Sequence, residues 1–532
     1  MNQVELKKRQ AELASYIIGM VCLVMIGNFL GDNGIAYFAV AFECFLLPII
    51  LLTHKLEDTL GKLLRNRTSK GQYKNAKKFR RNIFLAGAVL GLVGSAALFA
   101  TAELLGGKLF GLTYSVAMIC ILAPIVLLRM VASILLGYFQ GEGTELPAVI
   151  SCIMRQIGIV LFAVLFVKLL GNYGEKVSAL LREENFAAMY CGMGYALAML
   201  VSEILVVLFL SFVYQGSRGR AKKGVNDGMR VQETFAGQVA AVVSNTFPLT
   251  LGALMGHIPV WAGFFFYQKS LEQMTALEQY GVFYGKYLPI VLIFVLPAWA
   301  VLLTNSYKIA VHFRRNEQKN AKIFFSGGFH FSFIYGFFFA VYVAVMASTI
   351  AELAGGASYD LTVKMLQGGS FIIPFGVMGY FFSESLLLIN CRYQVVVAAA
   401  IKSIIFIVVT VVMLRNSVGI MALVYGGIVA EFLFAVATLL LLCRQLKAGI
   451  EPIRQIAIPL GVISVTGLFL WLFSRMLAPH LGSLLSVILS FAFGVICSIV
   501  LLVVTKDFRE QELNQIPGGK LLHTLGQIFH IY

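Results

Sequence analysis

The stretch Gly137-Tyr-Phe-Gln-Gly-Glu-Gly-Thr-Glu-Leu-Pro-Ala-Val-Ile-Ser-Cys-Ile-Met-Arg155 begins as a polar turn and joins two long apolar segments. The segments, near 113–137 and 147–170, are each long enough to cross the ~30 Å hydrocarbon core of a bilayer as a helix. At about 1.5 Å per residue, the arginine lies roughly 12 Å along the second segment from Pro147, near the centre of such a core. The stretch therefore predicts two membrane helices, one of which carries a charge.

The whole chain has the composition of a membrane protein. Of its 532 residues, 59% are hydrophobic and 13% are charged, and the mean hydropathy is +0.85. A water-soluble globule of this length needs more polar surface than these residues supply, but a bundle solvated by lipid does not. We expect an all-α polytopic membrane protein.

Apolar runs of 18 or more residues predict about fourteen transmembrane helices. The candidates lie near 13–31, 35–53, 84–104, 113–137, 147–170, 187–214, 234–256, 283–304, 323–349, 366–389, 395–414, 417–442, 456–476 and 483–504. Residues 257–282 mix aromatic and polar residues, which indicates an outer loop with an interfacial piece or, alternatively, a re-entrant turn. The loop 54–82 carries a leucine stripe suited to a helix lying on headgroups, although a solvated basic loop would explain it too.

The basic residues give an orientation in the cell membrane. With Lys7, Lys8 and Arg9 in the cytoplasm, roughly 30 of the 42 Lys and Arg fall in loops on that side and about 6 in the opposite loops. Both termini are then cytoplasmic. The formal net charge of +16 follows from this bias and from contact with anionic headgroups, so no nucleic-acid partner is expected.

Several short sequence motifs occur twice, in the same order and at a nearly constant offset in residue number. Lys74-Asn-Ala-Lys77 returns as Lys319-Asn-Ala-Lys322, and Gly137-Tyr-Phe139 returns as Gly379-Tyr-Phe381. These matches predict a parallel duplication of six helices, with two like-oriented lobes and two helices outside the repeat. The predicted division is an N-lobe at 1–232, a C-lobe at 233–445, and helices thirteen and fourteen with a cytoplasmic tail at 446–532. Two such lobes favour alternating-access transport over a channel.

Charged residues within the predicted helices follow the same repeat. Arg155 aligns with Lys402, and Glu203 aligns with Glu431. The basic candidates for binding a phosphate or pyrophosphate in an aqueous cleft are Arg129, Arg155, Lys286 and Lys402, since a charge inside a membrane helix needs a cavity or a partner. Alternatively, each basic group pairs with a glutamate and locks helices together. The carboxylates that could couple Na⁺ or H⁺ are Glu43, Glu203 and Glu431.

The order of features resembles the multidrug/oligosaccharidyl-lipid/polysaccharide exporter superfamily. Within it, the chain is similar to the polysaccharide-transporter branch that includes stage V sporulation protein B-like proteins and, more distantly, lipid II flippases. The resemblance covers roughly residues 10–445 and rests on Gly71–Lys78, Gly137–Gly141 with Pro147, and Tyr280–Gly285 followed by two Leu-Pro pairs. The first helix lacks the arginine that lipid II flippases carry there, so lipid II itself is not expected as the substrate.

These observations lead to one leading hypothesis and two rivals. The first is a flippase that moves a polyprenyl-(pyro)phosphate-linked glycan from the cytoplasmic to the outer leaflet, driven by a coupling ion or by the membrane potential. Its partners would be the lipid bilayer, the lipid-linked glycan and proteins of envelope-polysaccharide synthesis. The rivals are a cation-coupled multidrug efflux transporter of the same superfamily and a non-transporting scaffold. An enzyme, a cofactor and a metal site are not expected, because no Walker loop, metal cluster or catalytic spacing is present in the sequence.

Overall fold

The computed structural model describes residues 3–183, 185–218, 233–270, 273–356, 358–477 and 482–505. Within those residues the chain forms helices and no strand. The first nine helices are α1 (Gln3–Thr53), α2 (Leu56–Ser69), α3 (Tyr73–Ala100), α4 (Thr113–Gly141), α5 (Leu146–Leu181), α6 (Asn185–Arg218), α7 (Phe235–Ser270), α8 (Gln273–Val282) and α9 (Leu288–Arg314). The others are α10 (Gln318–Val345), α11 (Ala347–Ala354), α12 (Tyr359–Gly369), α13 (Ile372–Leu388), α14 (Arg392–Arg415), α15 (Met421–Leu446), α16 (Ile458–Leu477) and α17 (Ser483–Val504).

The number of spans is close to the predicted one. Among the described residues, 12 helices are long and apolar enough to cross a membrane, or 13 if the bent pair α12 and α13 counts as one span. The 64-residue segment Leu6–Ser69 counts once, although it holds two of the predicted spans, separated by a kink at Gly31 (φ 68°, ψ 161°). At about 1.5 Å per residue, such a segment is far longer than one crossing. The all-α polytopic fold is confirmed, and the exact count stays a prediction.

The described residues of the region 257–282 are helical rather than in a loop. α7 continues to Ser270, and α8 begins at Gln273. Tyr267 and Tyr280 are fully buried, and the hydroxyl of Tyr267 donates a hydrogen bond to Gln279 Oε1 at 2.6 Å. The loop prediction was wrong for these residues because aromatic side chains of the segment are buried in packed helices, which the mean polarity of the segment does not reveal.

The two Lys-Asn-Ala-Lys motifs lie in the first turns of two helices, and the backbone dihedral angles before these helices are similar. Lys74–Lys77 opens α3 and Lys319–Lys322 opens α10. The residue before α3 has φ −82° and ψ 57°, and the residue before α10 has φ −85° and ψ 64°. One position earlier, Gly71 and Asn316 both have positive φ. The chain thus turns in the same way at both sites, while the six-plus-six repeat itself stays a prediction.

The described chain divides into two compact units. The N-unit is Met25–Trp261, and the C-unit is Met1–Val24 together with Ala262–Tyr532. The first helix therefore begins in the C-unit and enters the N-unit, and α7 begins in the N-unit and enters the C-unit. The division by contact differs from the predicted lobe boundary at 232/233, which concerns the repeat and stays a prediction. Residues 506–532 of the predicted tail lie outside the described residues.

The leucine stripe of α2 packs on protein. Leu60 and Leu64 are buried in a cluster with residues of α3, α4 and α6. A Cβ on Gly137 would lie 2.8 Å from Leu60 Cβ, and one on Gly141 would lie 2.5 Å from Leu64 Cδ2. These two glycines form the last turn of α4, so they are helical and not part of the predicted polar turn. The interfacial-helix interpretation of α2 was wrong, because an amphipathic pattern is the same whether its apolar face meets lipid or protein.

Candidate functional site

A buried carboxylate in the N-unit binds two arginines. Glu203 on α6 is 1% exposed. Arg155 on α5 reaches it with two hydrogen bonds, from Nε to Oε2 at 2.7 Å and from Nη2 to Oε1 at 3.2 Å. Arg129 on α4 completes the cluster with Nη2 at 3.3 Å from Oε2. Three helices are therefore joined through one carboxylate, and the cluster carries one excess positive charge (two arginines against one glutamate).

Close packing of α5 on α6 brings Arg155 to Glu203. A Cβ on Gly158 would lie 2.6 Å from Ser202 Oγ, so only glycine allows this approach. The Ser202 hydroxyl donates a hydrogen bond to the carbonyl oxygen of Arg155 at 2.7 Å. The backbone of α5 is thereby fixed against α6 at the residue that carries the guanidinium. Small residues and interhelical hydrogen bonds of this kind are the usual means of helix association in membranes.

The C-unit contains a simpler pair at the repeat-related positions. Lys402 Nζ on α14 donates a hydrogen bond to Glu431 Oε1 on α15. Each of these side chains is 22% exposed, so the pair is more accessible than Arg155 and Glu203. Lys402 Nζ also lies 5.1 Å from the centroid of the Phe434 ring. The two units thus present a buried cluster with excess positive charge and a half-buried neutral pair.

Three of the four basic candidates form ion pairs with a glutamate. Arg155 and Lys402 each bind a glutamate of their own unit. Arg129 differs, because 26% of its side chain remains exposed. Direct contact of Arg129, Arg155, Lys286 or Lys402 with a substrate stays a prediction, as does ion coupling through Glu43, Glu203 or Glu431.

The remaining candidates lie in different surroundings. Lys286 is 2% exposed and occupies a π-helical turn, Phe283–Tyr287, between α8 and α9. Such turns are frequent at functional sites. Glu43 on α1 is buried and accepts a hydrogen bond from Trp261 Nε1 at 3.1 Å. In the part of the chain that the structure describes, no three His, Cys, Asp or Glu side chains could hold a metal ion, and the absence of a metal site stays a prediction.

Sequence reasoning missed an ion pair between residues far apart in the chain. Arg9 Nη1 at the start of α1 donates to Glu384 Oε1 on α13 at 2.7 Å, and Gln10 Nε2 donates to the carbonyl of Ala300 at 2.8 Å. Both contacts lie within the C-unit. No sequence pattern links Arg9 to Glu384, because 375 positions separate them. Arg9 also resembles the other basic residues, Lys7 and Lys8, that precede the first predicted span.

Reversing the charge of Arg9 is expected to destabilise the C-unit. In Arg9→Glu, two carboxylates would face each other in a half-buried site, with a loss of about 2 kcal/mol, the range of a hydrogen bond to a charged group. The double swap Arg9→Glu/Glu384→Arg should recover most of that loss. Thermal unfolding in detergent measures both variants. Equal destabilisation of the single and double variants would contradict a specific pair.

The sequence model of the polysaccharide biosynthesis protein family matches residues 10–303, more than half of the chain. The chain belongs to this family. Stage V sporulation protein B of Bacillus subtilis (strain 168) is 20% identical over 537 aligned positions, which cover 95% of this chain and 96% of that protein.

Two solved structures share the fold. The lipid II flippase MurJ in its inward closed conformation has a TM-score of 0.63 at 15% identity, over 94% of this chain and 98% of that chain. An inward-facing multidrug resistance MATE family transporter of the MOP superfamily has a TM-score of 0.65 at 11% identity, over 81% of this chain and 94% of that chain.

These comparisons confirm the predicted superfamily and its polysaccharide branch. The chain is a multi-pass membrane protein of a transporter and flippase family associated with polysaccharide biosynthesis, and it is not an enzyme. The protein accordingly lies in a lipid bilayer.

Proposed function

We propose that this protein moves an anionic polyprenyl-(pyro)phosphate-linked glycan from the cytoplasmic to the outer leaflet of the cell membrane by alternating access, with both termini in the cytoplasm. The observation that carries the proposal is the family match over residues 10–303. The fold shared with a structure named as a lipid II flippase supports a lipid-linked substrate. Proteins of envelope-polysaccharide synthesis would supply the glycan and receive it.

The charge of the Arg129–Glu203–Arg155 cluster supports an anionic headgroup. The cluster has one excess positive charge, and a guanidinium matches phosphate oxygens with two parallel hydrogen bonds. Arg129 is the best candidate for a phosphate contact, because its side chain is the most exposed of the three. Arg155 would then act by holding Glu203 in place, and Lys286 and Lys402 remain candidate contacts.

The membrane potential is the proposed driving force. A headgroup with about two negative charges that leaves a negative interior gains roughly 4–5 kcal/mol per 100 mV, at about 2.3 kcal/mol per charge. The alternative is coupling to Na⁺ or H⁺ through Glu43, Glu203 or Glu431. Glu203 and Glu431 accept hydrogen bonds from basic partners, and these partners occupy carboxylate oxygens that a coupling cation would need.

The multidrug efflux alternative requires carboxylates available to a cationic drug. In the residues that the structure describes, Glu203 binds two arginines, and Glu431 binds Lys402. Both arrangements weigh against this alternative. A drug-susceptibility panel on a deletion strain separates the two functions, because only the efflux function predicts hypersensitivity to many cationic drugs with normal surface polymer.

The proposal is tested with proteoliposomes that contain a fluorescent polyprenyl-pyrophosphate oligosaccharide. A potassium diffusion potential of 100 mV should shift the equilibrium distribution between leaflets by about 10³-fold, the equivalent of 4–5 kcal/mol. The fraction of label that an impermeant quencher reaches measures that distribution. A distribution that does not respond to the potential, or transport equal to that in protein-free vesicles, would overturn the proposal.

The same assay tests Arg129. Arg129→Gln should slow flipping about 10-fold or more, since a hydrogen bond to a charged group contributes about 1.5–3 kcal/mol. Arg415→Gln is the matched control, because Arg415 is exposed at the end of α14. Equal flipping rates for the folded Arg129→Gln and Arg415→Gln variants would exclude Arg129 from the substrate path. The response of the leaflet distribution to the potential tests the transport proposal separately.

A further inference from the structure

The region from Lys55 to Asn82 concentrates positive charge. It contains ten Lys and Arg and two acidic residues, Glu57 and Asp58. It forms α2 and the first turns of α3. Ten positive charges and two negative charges on 28 residues give this region a dense positive charge, and the contacts of each basic group decide how much of it is accessible.

Three of the four arginines of this region are bound to the protein itself. Arg65 Nη2 donates to the carbonyl oxygen of Gln140 at 2.7 Å. Arg67 donates to Glu233 Oε2 through Nη2 at 2.8 Å and through Nε at 3.0 Å. Arg80 Nη1 lies 3.4 Å from Glu142 Oε1. These three guanidiniums hold α2 and α3 to neighbouring helices.

Four of the six lysines of the region, together with the fourth arginine, face outward. We define the basic face as the exposed residues Lys62 and Lys70 of the α2 region and Lys74, Lys77 and Arg81 of α3. The three α3 residues are spaced by three and four positions, so they lie on one side of that helix. Because the apolar side of α2 is buried against α4, its basic side is the one left accessible.

The basic face ends where the lipid-facing surface of α3 begins. Phe84, Leu85 and Leu92 are exposed apolar residues in a segment apolar enough to span a membrane. Leu85 follows Arg81 by one turn, a rise of about 6 Å. A headgroup layer is about 5–8 Å thick on each side of the core. The long basic side chains thus reach the depth of lipid phosphates, and the exposed Tyr73 lies beside them, as aromatic residues at membrane interfaces do.

The junction that the predicted repeat aligns with this region lies in the C-unit and is shorter. Only residues 315–317 separate α9 from α10, with no counterpart of α2 between them. There the Glu317 carboxylate lies beside His312 and Asn320, and the hydrogen bond with His312 lowers the pKa of Glu317 below its usual value. An ionised carboxylate therefore offsets part of the charge of the exposed Arg315 and Lys319. The N-unit junction differs in the larger number of Lys and Arg that α2 and the start of α3 bring together.

We infer that the basic face binds the headgroups of anionic phospholipids in the leaflet on the α2 side. A lipid fits better than a soluble acidic partner, because the face is continuous with surface that already contacts acyl chains. Each basic residue near an anionic membrane surface strengthens association about fivefold. The inference concerns lipids of the surrounding bilayer and is independent of the transported substrate.

A tryptophan placed at the site tests the inference. The variant Tyr73→Trp of the full chain is reconstituted in phosphatidylcholine vesicles that contain either brominated phosphatidylglycerol or brominated phosphatidylcholine. The signal of the parent protein with its own tryptophans is subtracted. We expect brominated phosphatidylglycerol to quench the added tryptophan with an association constant at least 10-fold above that of brominated phosphatidylcholine, and 0.5 M NaCl to reduce this preference.

Replacing the basic face by glutamine should abolish the preference. The comparison variant adds Lys62→Gln, Lys70→Gln, Lys74→Gln, Lys77→Gln and Arg81→Gln, and unchanged thermal unfolding shows that it is folded. The matched control changes Arg315→Gln and Lys319→Gln at the α9–α10 junction and should keep the full preference. No preference in the reporter protein, or a preference that survives the five replacements, would overturn the inference.

Discussion

Glu203→Gln is expected to destabilise the protein by about 3–5 kcal/mol, the range for leaving a buried charge without its partner. The substitution keeps the shape of the side chain and removes its charge. Arg155, which is buried, and Arg129 would then face each other without a counterion. Glu431→Gln should cost only about 1–2 kcal/mol, because Lys402 is half-buried and can extend toward water or the interface. Equilibrium unfolding in detergent measures both variants.

A second substitution separates charge from packing at the same site. Adding Arg155→Met to Glu203→Gln removes the buried positive charge and should recover a large part of the lost stability. The coupling energy from the full double-mutant cycle is expected to exceed that of the Lys402–Glu431 pair. Equal losses for Glu203→Gln and Glu431→Gln would contradict the assignment of the N-unit cluster as the more strongly coupled one.

Gly194→Leu is expected to disrupt the packing of α5 on α6, with a loss of about 3 kcal/mol or more. A Cβ at Gly194 would lie 2.7 Å from the carbonyl oxygen of Phe166 and 2.9 Å from Val167 Cα. These are backbone atoms, which cannot rotate aside as a side chain can. The helices would have to separate, and the separation would also lengthen the Arg155–Glu203 contacts.

The matched control is Gly216→Leu on the same helix. Nothing lies within 4 Å of a Cβ at Gly216, so this variant should keep the parent stability. Unfolding in detergent and resistance to limited proteolysis report the two outcomes. Wild-type stability of Gly194→Leu would show that the α5–α6 contact can widen without cost.

Much of the fold was predictable because lipid restricts what a chain can do. Without water in the bilayer core, an apolar run must satisfy its backbone groups within a helix, so hydropathy alone located the spans. The surroundings of a helix were harder to predict. The Leu56, Leu60 and Leu64 stripe of α2 is compatible with lipid or with protein, and only the glycines on α4 decide between them.

Some of the charge pairs could be predicted from the sequence, and others could not. The predicted repeat aligns Arg155 with Lys402 and Glu203 with Glu431, and this alignment indicated pairing within each half. The third member, Arg129, could not be assigned, because its contact depends on how α4 packs on α6. Arg9 and Glu384 carried no pattern at all.

The order of the charged residues along the chain matters for how the protein is made. In each half the basic residue leaves the ribosome before its glutamate: Arg155 precedes Glu203 by 48 positions, and Lys402 precedes Glu431 by 29. At a protein-synthesis rate of about 5–20 residues per second, Glu203 is synthesised about 2–10 s after Arg155. During that interval an arginine at mid-membrane disfavours release into lipid by about 2.5–3.5 kcal/mol. The fourth, fifth and sixth helices are therefore expected to leave the insertion machinery together, as one preassembled group.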